Sequence, residues 1–261
     1  MNETKSSLGL FLFITFGLMY GAHAIVIILL NQEVLEFEHG LTQFLTILGG
    51  GAPAFAALFI VFRRYNEEEK KQYWQAVYRL NVAWHWWVFL VIAPLTIGVV
   101  TNLVYHQNLH RLTLSTGQLI TLPMTFAIMI FAGGAEELGW RGIMQKQLHS
   151  KIKLPFIGLF IGLIWGVWHL PLFFIDHLAH ADFNFFMYLL TTILFSLWMT
   201  AVVYKTKSVG LAILFHAMLN TIGHFGLGIP MVYSLGNTLV LGALIGLSIL
   251  WLYTIEDTAK A

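Results

Sequence analysis

The chain has 261 residues, of which 58% are hydrophobic, 15% aromatic and only 10% charged, with a mean hydropathy of +0.75. A water-soluble domain carries roughly 25% charged residues to cover its surface, so 14 basic and 13 acidic residues balanced to +1 exclude a soluble fold, a disordered chain and a nucleic-acid-binding surface. The absence of Cys excludes disulfide scaffolds, thiolate metal sites and a Cys nucleophile.

What remains is an all-α polytopic membrane protein, read as a single domain over 1–261. A bilayer core of roughly 30 Å needs about 20 apolar residues per helix, and eight such runs appear in chain order. The first is Leu8 to Leu30. Ala22-His23-Ala24 resembles a signal-peptidase site, but the apolar run continues to Leu30, which makes it a retained helix. The second, Leu41 to Phe62, is interrupted by Gly49, Gly50, Gly51 and Pro53. Residues Arg63 to Arg79 follow as a solvated or interfacial helix, mixing Glu67, Glu68 and Glu69 with Lys70 and Lys71. The third run is Trp84 to Tyr105, the fourth starts near Leu119, and the fifth is Leu154 to Ile175. Phe185 to Tyr204, Val209 to Ile229 and Leu235 to Tyr253 complete the set. With eight spans, alternate connecting segments hold 13 Lys and Arg on one side and one, Arg111, on the other. The positive-inside rule then places both termini in the cytoplasm. The protein is expected in the cell membrane, with the lipid bilayer as its first partner and no nucleic acid.

Polar groups inside spans are costly and mark function. Those away from span ends are His23, Glu136, Glu137, Arg141, His169, His216, Asn220 and His224. No Pro lies between Glu136 and Pro155, so a fourth helix that persists to about His149 places Glu136 about 20 Å from that end. His169 lies about 21 Å into the fifth helix, and His216 and Asn220 lie about 12 and 18 Å into the seventh, so all four meet at one depth. His216 and Asn220 are four apart and share a face, which His224 continues. Glu137 and Arg141 are also four apart, and their ion pair neutralises the second carboxylate and leaves Glu136 free. Gly133-Gly134 and the double GxxxG of Gly158, Gly162 and Gly166 permit close backbone approach. Trp140, Trp165 and Trp168 read as packing aromatics. His23 has no evident partner, and His85, His106, His110, His177 and His180 fall at span ends or in loops where water suffices.

A carboxylate and an imidazole facing one cavity can hold and deprotonate a water, while a second imidazole and an amide hold an oxyanion; the reaction is peptide hydrolysis without a covalent intermediate. The same Glu136, His169 and His216 also read as a catalytic zinc set, so Zn2+ is the alternative to a site that needs no cofactor. HExxH, a serine elbow and paired intramembrane aspartates are missing. Two readings of other classes also fit: a proton-coupled transporter using Glu136 and His169, and a non-catalytic membrane immunity or partner protein.

"EELGWRG", "WGVWH" from Trp165 to His169 and "HAMLN" from His216 to Asn220 resemble, in this order, the EExxxR, aromatic-xxxH and HxxxN motifs of the CPBP intramembrane proteases. That family includes the type II CaaX prenyl endopeptidases and the bacterial Abi proteins. The resemblance implies an intramembrane endopeptidase acting on a peptide or protein, with bacterial members associated with peptide processing and bacteriocin self-immunity. It implies that Glu136 and His169 activate the water, that His216 and Asn220 stabilise the oxyanion, and that Glu137 with Arg141 supports the site. Trp165 stands where many members carry Phe.

Overall fold

A computed structural model describes residues 7–107 and 112–258. Lys5, Arg111 and Lys260, used above to orient the chain, and the loop histidine His110 lie outside the described residues.

Twelve α-helical segments follow one another in these residues: α1 (Leu8–Asn31), α2 (Gly40–Gly50), α3 (Ala52–Arg64), α4 (Glu67–Tyr78), α5 (Trp84–His106), α6 (Thr116–Ala132), α7 (Glu137–Gly139), α8 (Lys146–Leu148), α9 (Leu154–Trp168), α10 (Phe185–Thr206), α11 (Val209–His224) and α12 (Leu235–Asp257). A 3-10 turn, Gly134–Glu136, and a π turn, Trp140–Gln145, link α6, α7 and α8 into one helical rod, Thr116–Leu148. The expected fourth helix therefore does persist past Glu136, but not as a uniform α-helix. The irregular stretch begins at Gly133 and carries every charged residue of the candidate site, in keeping with the tendency of π turns to occur at functional positions.

All eight expected apolar runs are helical, yet among the described residues six helices are long and apolar enough to cross a bilayer by themselves. The second run is the pair α2 and α3, bent by 62° at Gly51, and counts as a seventh span if the pair crosses as one. The seventh run, expected to reach Ile229, stops at His224. Gly226 takes a left-handed conformation (φ +73°) that only glycine adopts without strain, and Leu227 N–H bonds back to the Ile222 carbonyl, which closes the helix. Sixteen residues of α11 rise only about 24 Å. That is short of a bilayer core. Most of α11 is buried between other helices, so its length need not match the lipid.

The core is built on α9, α10 and α11. Gly158, Gly162 and Gly166 face Leu197, Ile193 and Leu189 of α10 with no room for a Cβ, so the double GxxxG is the seam between α9 and α10. Thr192 Oγ1 donates to the Gly162 carbonyl across that seam at 3.1 Å. By contrast, no described residue of α6 is buried; α6 leans chiefly on α11 before the rod turns inward at Gly133. The interfacial helix expected over Arg63 to Arg79 is α4, capped reciprocally by Asn66 and Glu69. It is more than a solvated face: the Tyr73 hydroxyl donates to the Leu138 carbonyl at 2.9 Å, and Ser208 Oγ donates to the Arg79 carbonyl.

Candidate active site

The irregular stretch after Gly133 presents two adjacent carboxylates to two different environments. Glu137 is fully buried and its two oxygens are both taken: Oε2 accepts from Arg141 Nε at 2.8 Å, and Oε1 accepts from His216 Nδ1 at 2.9 Å. Arg141 is itself buried, and its remaining nitrogens donate to Ser196 Oγ at 3.1 Å and Thr200 Oγ1 at 3.4 Å on α10. A buried ion pair with its hydrogen bonds this fully satisfied is the arrangement in which such a pair is tolerable. The expected pairing of Glu137 with Arg141 is present, and His216 belongs to the same network.

Glu136 is held differently. Its Oε2 accepts from two indoles, Trp165 Nε1 at 2.8 Å and Trp140 Nε1 at 3.2 Å, and no cation bonds to it. The reading of these two tryptophans as packing aromatics is corrected here, because both are hydrogen-bond donors to the carboxylate. The spacing held a clue, since Glu136 and Trp140 are four apart on one helix face. Trp165 is the hub of the site. Its ring centroid lies 5.6 Å from that of His169 and 5.0 Å from that of His216. Trp168, on the other hand, does pack as expected, against Trp140, with its Nε1 donating to the Thr15 carbonyl.

His169 ends α9, where its Nδ1 lies 2.8 Å from the Trp165 carbonyl. A carbonyl only accepts, so Nδ1 carries the hydrogen and Nε2 is left with a lone pair. His216 Nδ1, facing a carboxylate, carries a hydrogen by the same argument. Among the described residues, no protein group bonds to Glu136 Oε1, His169 Nε2, His216 Nε2 or the Asn220 amide, and none of these atoms is sealed from solvent. Gly133 shows where two of them converge: a Cβ there would meet Asn220 Nδ2 and lie 3.3 Å from His216 Nε2.

The structure thus gathers Glu136, His169 and His216 around the Trp165 indole, with Asn220 beside His216 at Gly133 and with the Glu137–Arg141 pair bonded to His216. His224 is exposed at the end of α11 and takes no part. His23 is buried against Gly49, and its partner is the Met19 carbonyl, 2.9 Å from Nδ1. His177 stacks on Phe37 between two loops. The placement of His180 among the water-exposed histidines is also corrected. A short 3-10 turn, Ala179–Asp182, folds it back so that its ring stacks on His169 at 5.7 Å and 18°. Burial, and then the charge of His23, push the His180 imidazole down to about 4, so it stacks as a neutral ring. Sequence gave no signal for this contact, because the loop that makes it has no helical register. Among the described residues no three His, Asp or Glu side chains are arranged to hold a metal ion.

This segment is also where the chain resembles known proteins. Residues 118–222 match the family model of the type II CAAX prenyl endopeptidase Rce1-like proteins. The matched segment carries Glu136, Glu137, Arg141, His169, His216 and Asn220, and in it the chain is similar to the Rce1-like family. It is also 25% identical over 197 residues to CAAX prenyl protease 2 of Methanococcus maripaludis, an alignment covering 69% of this chain and 72% of that protein. The Rce1-like match and the apolar helices together support an intramembrane protease.

Proposed function

We propose that this Rce1-like chain is a glutamate-type endopeptidase of the cell membrane that hydrolyses a peptide bond with a water held between Glu136 and His169. The observation that carries the reading is the unequal treatment of the two carboxylates. Glu137 is neutralised by Arg141 and His216, whereas Glu136 is oriented by two indole N–H groups and keeps Oε1 free.

In this mechanism the water gives hydrogen bonds to Glu136 Oε1 and His169 Nε2. Glu136 takes its proton as the oxygen attacks the scissile carbonyl carbon, and the carbonyl oxygen becomes an oxyanion. His216 Nε2–H and the Asn220 amide donate to that oxyanion from the side marked by Gly133; the Glu137 carboxylate, hydrogen-bonded at Nδ1, holds the imidazole in that orientation. Glu136 then returns the proton to the leaving amine nitrogen as the carbon–nitrogen bond breaks. No cofactor enters these steps. The excess of basic residues in alternate segments of the eight-run reading supports a cytoplasmic side for both termini and for the end of the molecule bearing α4. The name of the archaeal relative points to a prenylated C-terminal tail as the first substrate to try.

Replacing Glu136 by Gln keeps the shape and the indole contacts but removes the base. The variant is expected to fold and to lose cleavage of a quenched peptide by at least about 100-fold; cleavage at the wild-type rate rejects the mechanism. Metal content and chelator treatment of active protein test the zinc alternative: stoichiometric zinc with loss of activity on its removal would replace this mechanism by a metal-assisted one.

A further inference from the structure

Tyr188 lies one turn into α10, and sequence gave it no role. Its ring contacts both histidines at this end of the site, with centroids 5.3 Å from His169 and 5.3 Å from His180. Phe173 at 5.4 Å and Phe183 at 6.3 Å close the other sides of the phenol, so its direction is set by four rings. The hydroxyl itself bonds to no group among the described residues and is not sealed from solvent. An unpaired donor thus belongs to a ring packed against His169, whose Nε2 has no bonded partner among the described residues.

We propose that Tyr188 is a catalytic residue whose hydroxyl donates a hydrogen bond to the water held by Glu136 and His169. The inference rests on the water-activation reading above. It follows from the valence of the water: both protons are committed, one to Glu136 Oε1 and one to His169 Nε2, which leaves two lone pairs. One lone pair attacks the carbonyl carbon. The other needs a donor if the water is to be held in one orientation, and Tyr188 O–H is the donor available on the His169 side. The phenol keeps its proton throughout; it orients the nucleophile and transfers nothing.

Tyr188→Phe retains the ring and all four ring contacts and removes only the hydroxyl. With the quenched peptide that the wild-type protein cleaves fastest, kcat is expected to fall about 10- to 100-fold while KM stays within about twofold, since the hydroxyl touches water and not substrate. Tyr188→Leu, which also releases the His169 ring, is expected to fall further. Tyr188→Phe with wild-type kcat, or with its loss confined to KM, overturns the inference. Glu136→Gln in the same assay separates the two readings: an active Glu136→Gln overturns both, whereas an inactive Glu136→Gln beside a fully active Tyr188→Phe overturns only the role of Tyr188.

Discussion

Gly133 and Gly134 are adjacent, yet the structure assigns them opposite kinds of sensitivity. A Cβ at 133 would run into Asn220 Nδ2 and come within 3.3 Å of His216 Nε2. The Asn220 amide is the end of a side chain, which rotates away at about 1 kcal/mol, and His216 gives slightly, but both move away from the position the oxyanion is to occupy. Loss of one oxyanion donor is worth about 100- to 1,000-fold in kcat, or roughly 3 to 4 kcal/mol of transition-state stabilisation. A Cβ at 134 would instead lie 2.6 Å from the Ile213 carbonyl oxygen and 3.1 Å from Ile213 Cγ2. Backbone cannot step aside, so α11 must shift bodily, at about 1 to 3 kcal/mol of stability. Gly133→Ala is therefore expected to keep its thermal unfolding midpoint in detergent and lose kcat, while Gly134→Ala loses several degrees and retains turnover in the fraction that stays folded. Paired unfolding curves and peptide-cleavage kinetics decide it. Wild-type turnover by Gly133→Ala, or equal thermal losses in the two variants, refutes the convergence of His216 and Asn220 on this point.

Two further outcomes follow from the carboxylates. Trp165→Phe keeps the aromatic ring between His169 and His216 but takes away the 2.8 Å donor to Glu136 Oε2, so kcat is expected to drop about 10-fold or more with little change in the unfolding midpoint. Arg141→Leu strands the Glu137 carboxylate in a site with no exposure, and about 3 to 5 kcal/mol of destabilisation is expected, read as a loss of folded protein after solubilisation. A well-folded Arg141→Leu protein refutes the description of Glu137 as a buried, compensated charge.

Much of the site was legible because its residues repeat at helical spacing. Glu137 and Arg141, and His216 and Asn220, are each four apart, and intrahelical geometry alone puts each pair on one face. The matched depth of Glu136 and His169 needed only the rise per residue and a short turn between antiparallel helices. The indole donors were not legible, since Trp140 and Trp165 sit at positions where an apolar ring serves equally well and only the direction of the N–H tells the two uses apart. His180 and Tyr188 were hidden for a different reason. Their meeting with His169 depends on how the turn Ala179–Asp182 folds back over the end of α9, and no periodicity constrains such a turn. The length of α11 was misjudged because hydropathy reports what avoids water and not what faces lipid; a helix enclosed by its neighbours satisfies the first condition without the second.

The helix α4 acts as a spacer. Its Tyr73 is fastened to Leu138, one residue past the paired carboxylates, and six residues on, Arg79 is fastened to Ser208 at the start of α11, while the Val77 carbonyl fills the place of a side chain at Gly210. Six residues of helix rise about 9 Å, which is the ordinary separation of two packed helices. The gap between the wall that carries Glu136 and the wall that carries His216 is thereby gauged by a charged rod outside the apolar spans, and adding or removing a single residue there changes the gauge by roughly 1.5 Å without altering any residue of the site.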